Sequence, residues 1–287
     1  MKLHSLVHEN FKLDGGAMFG VVPKTLWQRT NPADDDNLID MATRSLLIDT
    51  GERLILVDTG LGNKQSEKFF GYYKPANRGG LDRKLNELGL TRNDITDVIM
   101  THLHFDHCGG SVVRNQADEL VPAFPKARYW TNEKHWHWAV EPNAREKASF
   151  LKENFVPLQE HKVLHFVPTP DAGRWLGFPE LQLDFLFVSG HTESQMLPVI
   201  RYKGKTLVFM ADLLPTRGHV PLAYVMGYDT RPLLTLDEKA EFLNLAADEG
   251  YYLFLEHDPV NEIITVKHTE KGVRADRTLS LEEFLNE

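Results

Sequence analysis

The stretch THLHFDHCGG, residues 101–110, crowds three histidines and an aspartate together. It follows directly on the apolar run DVIM, residues 97–100, which predicts a short buried strand. Crowded imidazoles repel one another once protonated, and burying them costs free energy unless each nitrogen has a partner. A metal ion would provide that partner. The candidate ligands in this stretch are His102, His104, Asp106 and His107.

Polar residues also follow the other candidate strands. Further apolar runs, such as LILV at 54–57 and TLVFM at 206–210, each lead into an aspartate or a histidine. These following residues are Asp58, His191, Asp212 and His257. Polar groups at successive strand ends gather along one edge of a sheet, where open α/β-type sheets place their sites. We therefore expect them to lie beside the histidine cluster.

Side-chain direction divides the cluster into two pairs. In an extended backbone, the side chains of His102, His104 and Asp106 would point to the same side of the chain. The side chain of His107 would point to the other side unless the chain turns. Gly109-Gly110 makes such a turn easy. One segment can therefore supply two adjacent metal positions, with His102 and His104 at one and Asp106 and His107 at the other.

Neither pair completes a coordination sphere, because catalytic zinc takes three protein ligands and keeps a position open for water. The missing ligands must come from His191, Asp212 and His257. A carboxylate such as Asp212 can bridge two ions, which a histidine cannot.

Periodicity predicts the surrounding elements. Residues 45–60 read as a β-hairpin, and residues 81–89 as a helix that ends at a glycine. Residues 235–250 predict a second helix, for which Thr235 and Glu238 form a capping-box pattern. A short helix at 279–287 closes the chain.

Composition excludes several classes of protein. The 287 residues carry a formal net charge of −9 without a Lys/Arg-rich run, which argues against a nucleic-acid partner. Cys108 is the single cysteine, so no intrachain disulfide can form, and this fits a reducing compartment. No apolar run is long enough to span a bilayer, and residues 1–16 lack the apolar core of a signal peptide. We expect a cytoplasmic protein that has no membrane partner.

Five motifs together resemble the metallo-β-lactamase superfamily. They are THLHFDH at 101–107, VDTG at 57–60, GHT at 190–192, MAD at 210–212 and EHD at 256–258, in the family's order. The resemblance implies an α+β protein with a four-layer αββα sandwich, which we expect to form a single domain over residues 1–287. It also implies that His102, His104 and His191 bind one metal ion, that Asp106, His107 and His257 bind the other, and that Asp212 bridges them. Asp58 matches an aspartate that orients a ligand histidine.

A narrower resemblance joins residues 13–27, LDGGAMFGVVPKTLW, and residues 210–219 to the YtnP-like quorum-quenching lactonases. It implies hydrolysis of N-acyl-homoserine lactones at two Zn²⁺ ions, although these ligand types also suit Fe²⁺, Co²⁺ or Mn²⁺. A hydroxide held between the ions would attack the lactone carbonyl, and Asp106 or Asp212 would pass a proton to the leaving oxygen. The segment 14–37 is then a candidate substrate-covering or dimerisation loop, and a homodimer is one possible assembly. Pro215 departs from the family, because the best-known lactonases carry there a tyrosine that binds the lactone carbonyl.

Other functions fit the sequence less well. The nearest alternative is the same chemistry on another small-molecule ester, an aryl ester or a phosphotriester. Diiron oxidoreductases of the superfamily usually have glutamate where His104 stands, and class B β-lactamases are exported. A binding module that has lost catalysis would also have lost ligands. Among the remaining candidates we expect structural roles for Cys108 and His135, and we leave a substrate contact by His219 open.

Overall fold

The computed structural model describes the whole sequence, residues 1–287. The strands β1 to β15 are Lys2–Asp14, Leu38–Asp49, Leu54–Val57, Asp97–Ile99, Val112–Arg114, Leu120–Pro122, Arg128–Thr131, Leu164–Phe166, Trp175–Phe178, Leu183–Val188, Gln195–Tyr202, Lys205–Phe209, Tyr252–Phe254, Ile263–Lys267 and Arg274–Leu279. The helices α1 to α9 are Gly15–Phe19, Lys24–Trp27, Glu67–Tyr73, Gly80–Glu87, Phe105–Cys108, Glu133–Val140, Val156–Glu160, Pro232–Glu249 and Leu281–Asn286. None of these helices combines the length and the apolar composition that a bilayer span requires.

Two mixed sheets hold most of the strands. One sheet has the order β1-β2-β3-β4-β7-β8, and the other has the order β15-β14-β13-β12-β11-β10-β9. The strands from β3 to β8 in the first sheet run parallel, as do β12 and β13 in the second. The predicted hairpin at 45–60 is the antiparallel pair β2 and β3, in which Leu46 faces Val57.

Side chains that point alternately to the two faces of each sheet produce the layers of the sandwich. In β2, Leu46 and Ile48 face the second sheet, whereas Leu47 points outward beneath α4, α6 and α7. The second sheet repeats this arrangement: Phe187 points inward, and Val188 packs outward beneath α8. Period-two alternation with two apolar faces is typical of sheets covered on both sides. The result is the αββα sandwich that the resemblance to the metallo-β-lactamase superfamily implied.

The predicted helix at 235–250 begins earlier than expected. It starts at Pro232 in the first helical position, and proline is favoured there because its missing N–H would be unpaired in any case. The capping box assigned to Thr235 and Glu238 is therefore wrong. Both residues lie inside α8, and Glu238 has a different partner, described below. The closing helix α9 does carry a capping box, formed by Ser280 and Glu283.

Two glycines allow the loop after β3 to touch the loop after β4. A Cβ atom on Gly109 would lie 2.1 Å from the Leu61 carbonyl oxygen, and one on Gly110 would lie 2.3 Å from that of Thr59. The main chains of the two loops meet there, and Gly60 pairs with Cys108 in an isolated bridge. Only glycine permits this approach, which fixes the turn that carries Asp106.

We expect Gly109→Ala to lower the free energy of unfolding by about 1–3 kcal/mol, because the added methyl group forces two main chains apart. Urea denaturation followed by circular dichroism measures the change. Gly71→Ala is the control: Gly71 lies in α3 with open space around it, so alanine there should stabilise the protein by about 0.5–1 kcal/mol. Equal stabilities of the wild type and Gly109→Ala would contradict the close approach.

Candidate metal centre

The loops that follow four strands converge at one edge of the sandwich. β4 leads into the histidine cluster, and β10, β12 and β13 lead into the other predicted ligands, so that both sheets contribute. The structure brings all seven predicted residues together in two buried groups. One group is His102, His104, His191 and Asp212, and the other is Asp106, His107 and His257.

Ring nitrogens face one another within each group. His104 Nδ1 lies 3.0 Å from His102 Nε2 and 3.1 Å from His191 Nε2. In the second group His107 Nε2 lies 3.0 Å from His257 Nε2, and Asp106 Oδ2 lies 3.8 Å from the same His257 nitrogen. Burial, together with the neighbouring imidazoles of His107 and His104, holds the pKa of His102 well below its usual range.

Asp212 lies between the two groups. Its Oδ2 is 3.1 Å from His191 Nε2, and its Oδ1 is 3.3 Å from His257 Nε2. Burial alone would raise the pKa of Asp212, but the imidazoles of His191, His107 and His257 hold it well below its usual value. Oδ1 is buried and accepts no hydrogen bond from the protein. The carboxylate is thus positioned to be shared by two cations.

The local backbone explains how one short segment serves both groups. His104 is extended and forms the N-cap of α5, whose four residues carry Asp106 and His107. A turn of helix therefore replaces the extended chain that the sequence suggested, and it redirects Asp106 toward His107. Asp58 and Ala211 adopt positive φ angles of 56° and 39°, a strained conformation that clusters at functional sites.

Asp58 and Thr101 hold two of the histidines from outside. His107 Nδ1 donates to Asp58 Oδ2 over 3.0 Å. Thr101 Oγ1 donates to the same carboxylate over 2.7 Å, so it accepts from His102 Nδ1 at 3.1 Å. Asp58 thus orients His107, as its motif predicted, and orients His102 through a hydroxyl group.

Three further acceptors hold the remaining histidines. His191 Nδ1 donates to Asp229 Oδ1 over 2.9 Å, and His257 Nδ1 donates to the Ala42 carbonyl oxygen over 2.8 Å. His104 is turned the other way, and its Nε2 lies 3.4 Å from Glu146 Oε1. Burial would raise the pKa of Glu146, but the neighbouring His104 imidazole and Thr192 hydroxyl group lower it to about 2.

In the neutral form of each ring the single hydrogen lies on the outer nitrogen, and the facing nitrogen carries a lone pair. Lone pairs about 3 Å apart repel, and no donor between them relieves the repulsion. A cation at each group would turn all of these lone pairs into ligands. Imidazole nitrogens with one or two carboxylates also form the donor set of dinuclear hydrolytic centres. The residues present therefore fit a pair of divalent metal ions.

Sequence reasoning missed Asp229, Glu146, Glu238 and Glu256. Glu238 of α8 accepts from the main-chain N–H groups of Ser189 and Gly190, which fixes the loop that carries His191. Glu256 lies 3.1 Å from His107 Nδ1, and burial raises its pKa to about 8. Glu256 stands inside the EHD motif and could have been considered. Glu238 was assigned to a capping box, and Asp229 and Glu146 lie in segments without any motif.

The side chains expected to be structural are bound within the protein. His135 accepts from the Leu103 N–H and hydrogen-bonds the Glu193 carbonyl oxygen, and Cys108 is fully buried. His219, for which a substrate contact was left open, stacks on Phe19 and uses both ring nitrogens, donating to the Met18 carbonyl oxygen and accepting from Thr216. No ring nitrogen of His219 is free for substrate.

A cavity of about 390 Å³ opens onto both groups. His104, Asp106, His191, Asp212 and His257 form its floor, and mostly apolar or aromatic side chains form its walls. The wall residues include Leu13, Met18, Tyr73, Phe105, Met226 and Tyr228. The cavity thus combines a polar floor with apolar sides.

Segment 14–37 supplies one of these walls. It forms α1 and α2, and its Met18, Phe19 and Trp27 are buried in a cluster that also contains Met226. Met18 reaches the cavity, whereas Val21 is 97% exposed. The segment is therefore both packed on the core and adjacent to the site.

Lys239 of α8 holds the loop that forms the adjoining wall. Its ammonium group is buried and donates to the carbonyl oxygens of Pro221, Leu222 and Tyr224 over 2.8–3.3 Å. The chain continues from there into Met226 and Tyr228, which line the cavity. A single side chain therefore fixes the main chain of this loop.

The model of the metallo-beta-lactamase superfamily matches residues 39–257, about three quarters of the chain. The protein belongs to this superfamily. Its fold and membership make it a metal-dependent hydrolase. No curated protein sequence matches this superfamily member significantly.

Solved structures resemble this superfamily member over nearly its whole length. A probable metal-dependent hydrolase from Staphylococcus aureus is 28% identical, with a TM-score of 0.83 over 97% of this chain and 98% of that one. AidC, a dizinc quorum-quenching lactonase solved with the product N-hexanoyl-L-homoserine, is 21% identical, with a TM-score of 0.77 over 97% and 94%. AbOPH, a hydrolase of the beta lactamase superfamily, is 17% identical, with a TM-score of 0.75 over 97% and 94%.

We expect Glu146→Gln to weaken metal binding about 10–100-fold, because it removes the charged acceptor that orients His104. Competition with a chromophoric chelator, read by absorbance, measures the affinity. Glu133→Gln is the control, since Glu133 is exposed on nearby α6. An unchanged affinity in Glu146→Gln would show that Glu146 does not position the ligand.

His8 is linked to the main chain of Asp58 through the Ser45 hydroxyl group. Because His8 is buried, its titration should make the stability of the protein depend on pH. Ser45 Oγ donates to the Asp58 carbonyl oxygen over 2.8 Å, so it accepts from His8 Nε2 at 2.9 Å. Thr43 Oγ1 lies 3.3 Å from His8 Nδ1, which leaves the neutral ring satisfied. Burial lowers the pKa of His8 to about 3.

We expect this contribution to stability to be complete above pH 6.5 and to be lost as the pH falls from 6.5 toward 3, because only the unfolded chain then takes up the proton. One such histidine costs up to about 1.4 kcal/mol per pH unit. In His8→Gln the free energy of unfolding, measured in urea at several pH values, should fall less steeply than in the wild type. His161→Gln, a change at an exposed histidine, should keep the wild-type slope. Equal slopes in all three proteins would refute the neutral, buried state of His8.

Proposed function

We propose that the protein opens the lactone ring of N-acyl-homoserine lactones. The observation that carries the proposal is the cavity, in which a polar floor of candidate metal-binding side chains meets apolar walls that an acyl chain can contact. An acyl-homoserine lactone has the same division, with a compact polar ring and an apolar tail. The likeness to AidC, a lactonase solved with the product N-hexanoyl-L-homoserine, supports the same substrate class.

The seven clustered residues would hold two divalent ions. His102, His104 and His191 would bind one ion, and Asp106, His107 and His257 the other, with Asp212 shared between them. Zinc suits this donor set, and iron, cobalt or manganese can take the same ligands. When bound, the ions supply Lewis acidity for activating water and polarising the carbonyl group.

Asp106 is the better placed of the two proposed catalytic aspartates for carrying a proton. Both oxygens of Asp212 face imidazoles, at 3.1 Å and 3.3 Å, so neither is spare. Asp106 also lines the cavity, and its oxygens lie farther from the imidazoles, 3.9 Å from His107 Nε2 and 3.8 Å from His257 Nε2, so that one of them would be enough for the metal group. Its second oxygen would hold the proton that the leaving alkoxide takes up.

Two tyrosines can replace the carbonyl-binding tyrosine that is missing at Pro215. Tyr73 and Tyr228 both line the cavity, whereas Pro215 does not. Burial, reinforced by the charge of Asp106, raises the pKa of Tyr73 to about 12, and burial raises that of Tyr228 further. Both phenols therefore stay protonated, and either can donate an O–H to the substrate carbonyl oxygen.

The test measures proton release by the zinc-loaded enzyme with a pH indicator. We expect N-hexanoyl- and N-decanoyl-homoserine lactone to be opened rapidly, and His104→Ala to lose activity on the order of 100-fold or more, because several kcal/mol of transition-state stabilisation depend on the metal. His268→Ala, at an exposed histidine far along the second sheet, is the matched control and should keep full activity.

Paraoxon and phenyl acetate serve as competing substrates in the same assay. Turnover of either one without lactone opening would overturn the lactonase assignment and leave a metal-dependent esterase or phosphotriesterase. Tyr228→Phe and Tyr73→Phe then locate the donor to the carbonyl group, since the responsible variant should lose about tenfold or more in kcat/KM.

A further inference from the structure

Almost all arginine side chains of this acidic protein have a hydrogen-bonding partner within the protein. Each either forms an ion pair with a carboxylate or donates to a main-chain carbonyl group remote in sequence, with three exceptions. The exceptions are Arg29, Arg217 and Arg274. Arg274 donates only to the carbonyl oxygen of its neighbour Val273, and the other two guanidinium groups have no partner.

All three unpaired arginines line the same cavity. It encloses about 320 Å³ and lies apart from the metal centre, since none of the metal-binding candidates contributes to it. None of its lining residues is acidic. Asp258 lies nearby, but it is buried and accepts from the main-chain N–H groups of Arg217, Val260 and Asn261. Three positive charges therefore meet in one concavity without a counterion from the protein.

The rest of the cavity is mostly apolar. Leu26, Val220 and Tyr224 line it together with Pro221 and Ala275. Leu26 is 42% exposed, which is high for a leucine beside a folded core. A ligand that only carried charge would leave this surface in contact with water.

We propose that this cavity binds a small phosphate monoester whose organic group is apolar. Guanidinium forks match phosphate oxygens in pairs, and three cations suit a dianion better than a singly charged carboxylate. The apolar wall would cover the organic group. In a chain of net charge −9, a local cluster of unpaired cations of this kind also favours a small anion over a polyanion such as nucleic acid.

The test is calorimetric titration of the zinc-loaded enzyme with phenyl phosphate at constant ionic strength. We expect saturable binding at one site, and at least a tenfold loss of affinity in Arg217→Gln and in Arg274→Gln, since each loses a charge-assisted pair of hydrogen bonds. The Arg29/Arg217/Arg274 triple glutamine variant should not bind. Arg83→Gln, at an arginine paired with Glu87 on α4, is the control and should bind like the wild type.

Phosphates also bind metal ions, so a second variant separates the two sites. Binding that survives in the triple variant and disappears in His104→Ala would belong to the metal centre and would overturn the proposal. Lactone or ester turnover and thermal unfolding of the arginine variants should match the wild type, because these residues lie outside the catalytic cavity.

Two further ligands test the chemical class. Inorganic phosphate should bind more weakly than phenyl phosphate, because it leaves the apolar wall uncovered. Equal affinity for inorganic phosphate and phenyl phosphate would show that the organic group does not contribute to binding, and the proposal of a monoester would be wrong. Benzoate should bind at least tenfold more weakly than phenyl phosphate, and equal binding of benzoate, or no saturable binding of phenyl phosphate, would refute a phosphate site.

Discussion

Five imidazole rings in this protein turn one nitrogen atom each toward their neighbours, and in the neutral form of the ring that nitrogen carries no hydrogen. Each ring is held in that state because its other nitrogen donates to an outer acceptor, such as Asp58, Asp229 or the Ala42 carbonyl group. The arrangement is repulsive without a cation and becomes a set of ligands with one. Burying these lone pairs therefore ties the stability of the site to metal binding.

The edge of the sandwich can bring these histidines together, because loops from both sheets converge there. Ligands leave the ends of strands in both sheets, and their outer acceptors come from neighbouring loops and from β2. The layers behind them are fixed by alternating side chains, so the loops can adopt costly backbone conformations. The positive φ of Ala211, next to Asp212, is one such conformation. A rigid core holds this strain in place.

Local patterns could predict the strands, the order of the polar residues that follow them and, through the family motifs, the sandwich. They could also predict that the polar side chains after these strands would meet, because strands that end at the same edge of a sheet place the following residues close together. They could not predict Glu146 or Asp229, since each approaches its histidine through a long connection whose path depends on tertiary packing. The start of α8 was misjudged because Thr235 and Glu238 fit a capping box, whereas Pro232 was already able to begin the helix.

The three unpaired arginines illustrate a different limit. Each is an ordinary surface residue in the sequence, and their separation along the chain hides that they share one cavity. Their significance depends on the absence of acidic neighbours in space, which no local pattern encodes.

The Lys239 ammonium group has a consequence for how this enzyme can evolve. It binds the loop at 221–224 only through main-chain carbonyl oxygens, which every amino acid provides. Replacements of side chains along that loop therefore leave its anchor intact. Its continuation, with Met226 and Tyr228, can then change the shape and polarity of the cavity while the loop keeps its course. A family member built in this way can acquire new substrates through loop substitutions without first sacrificing its folded scaffold.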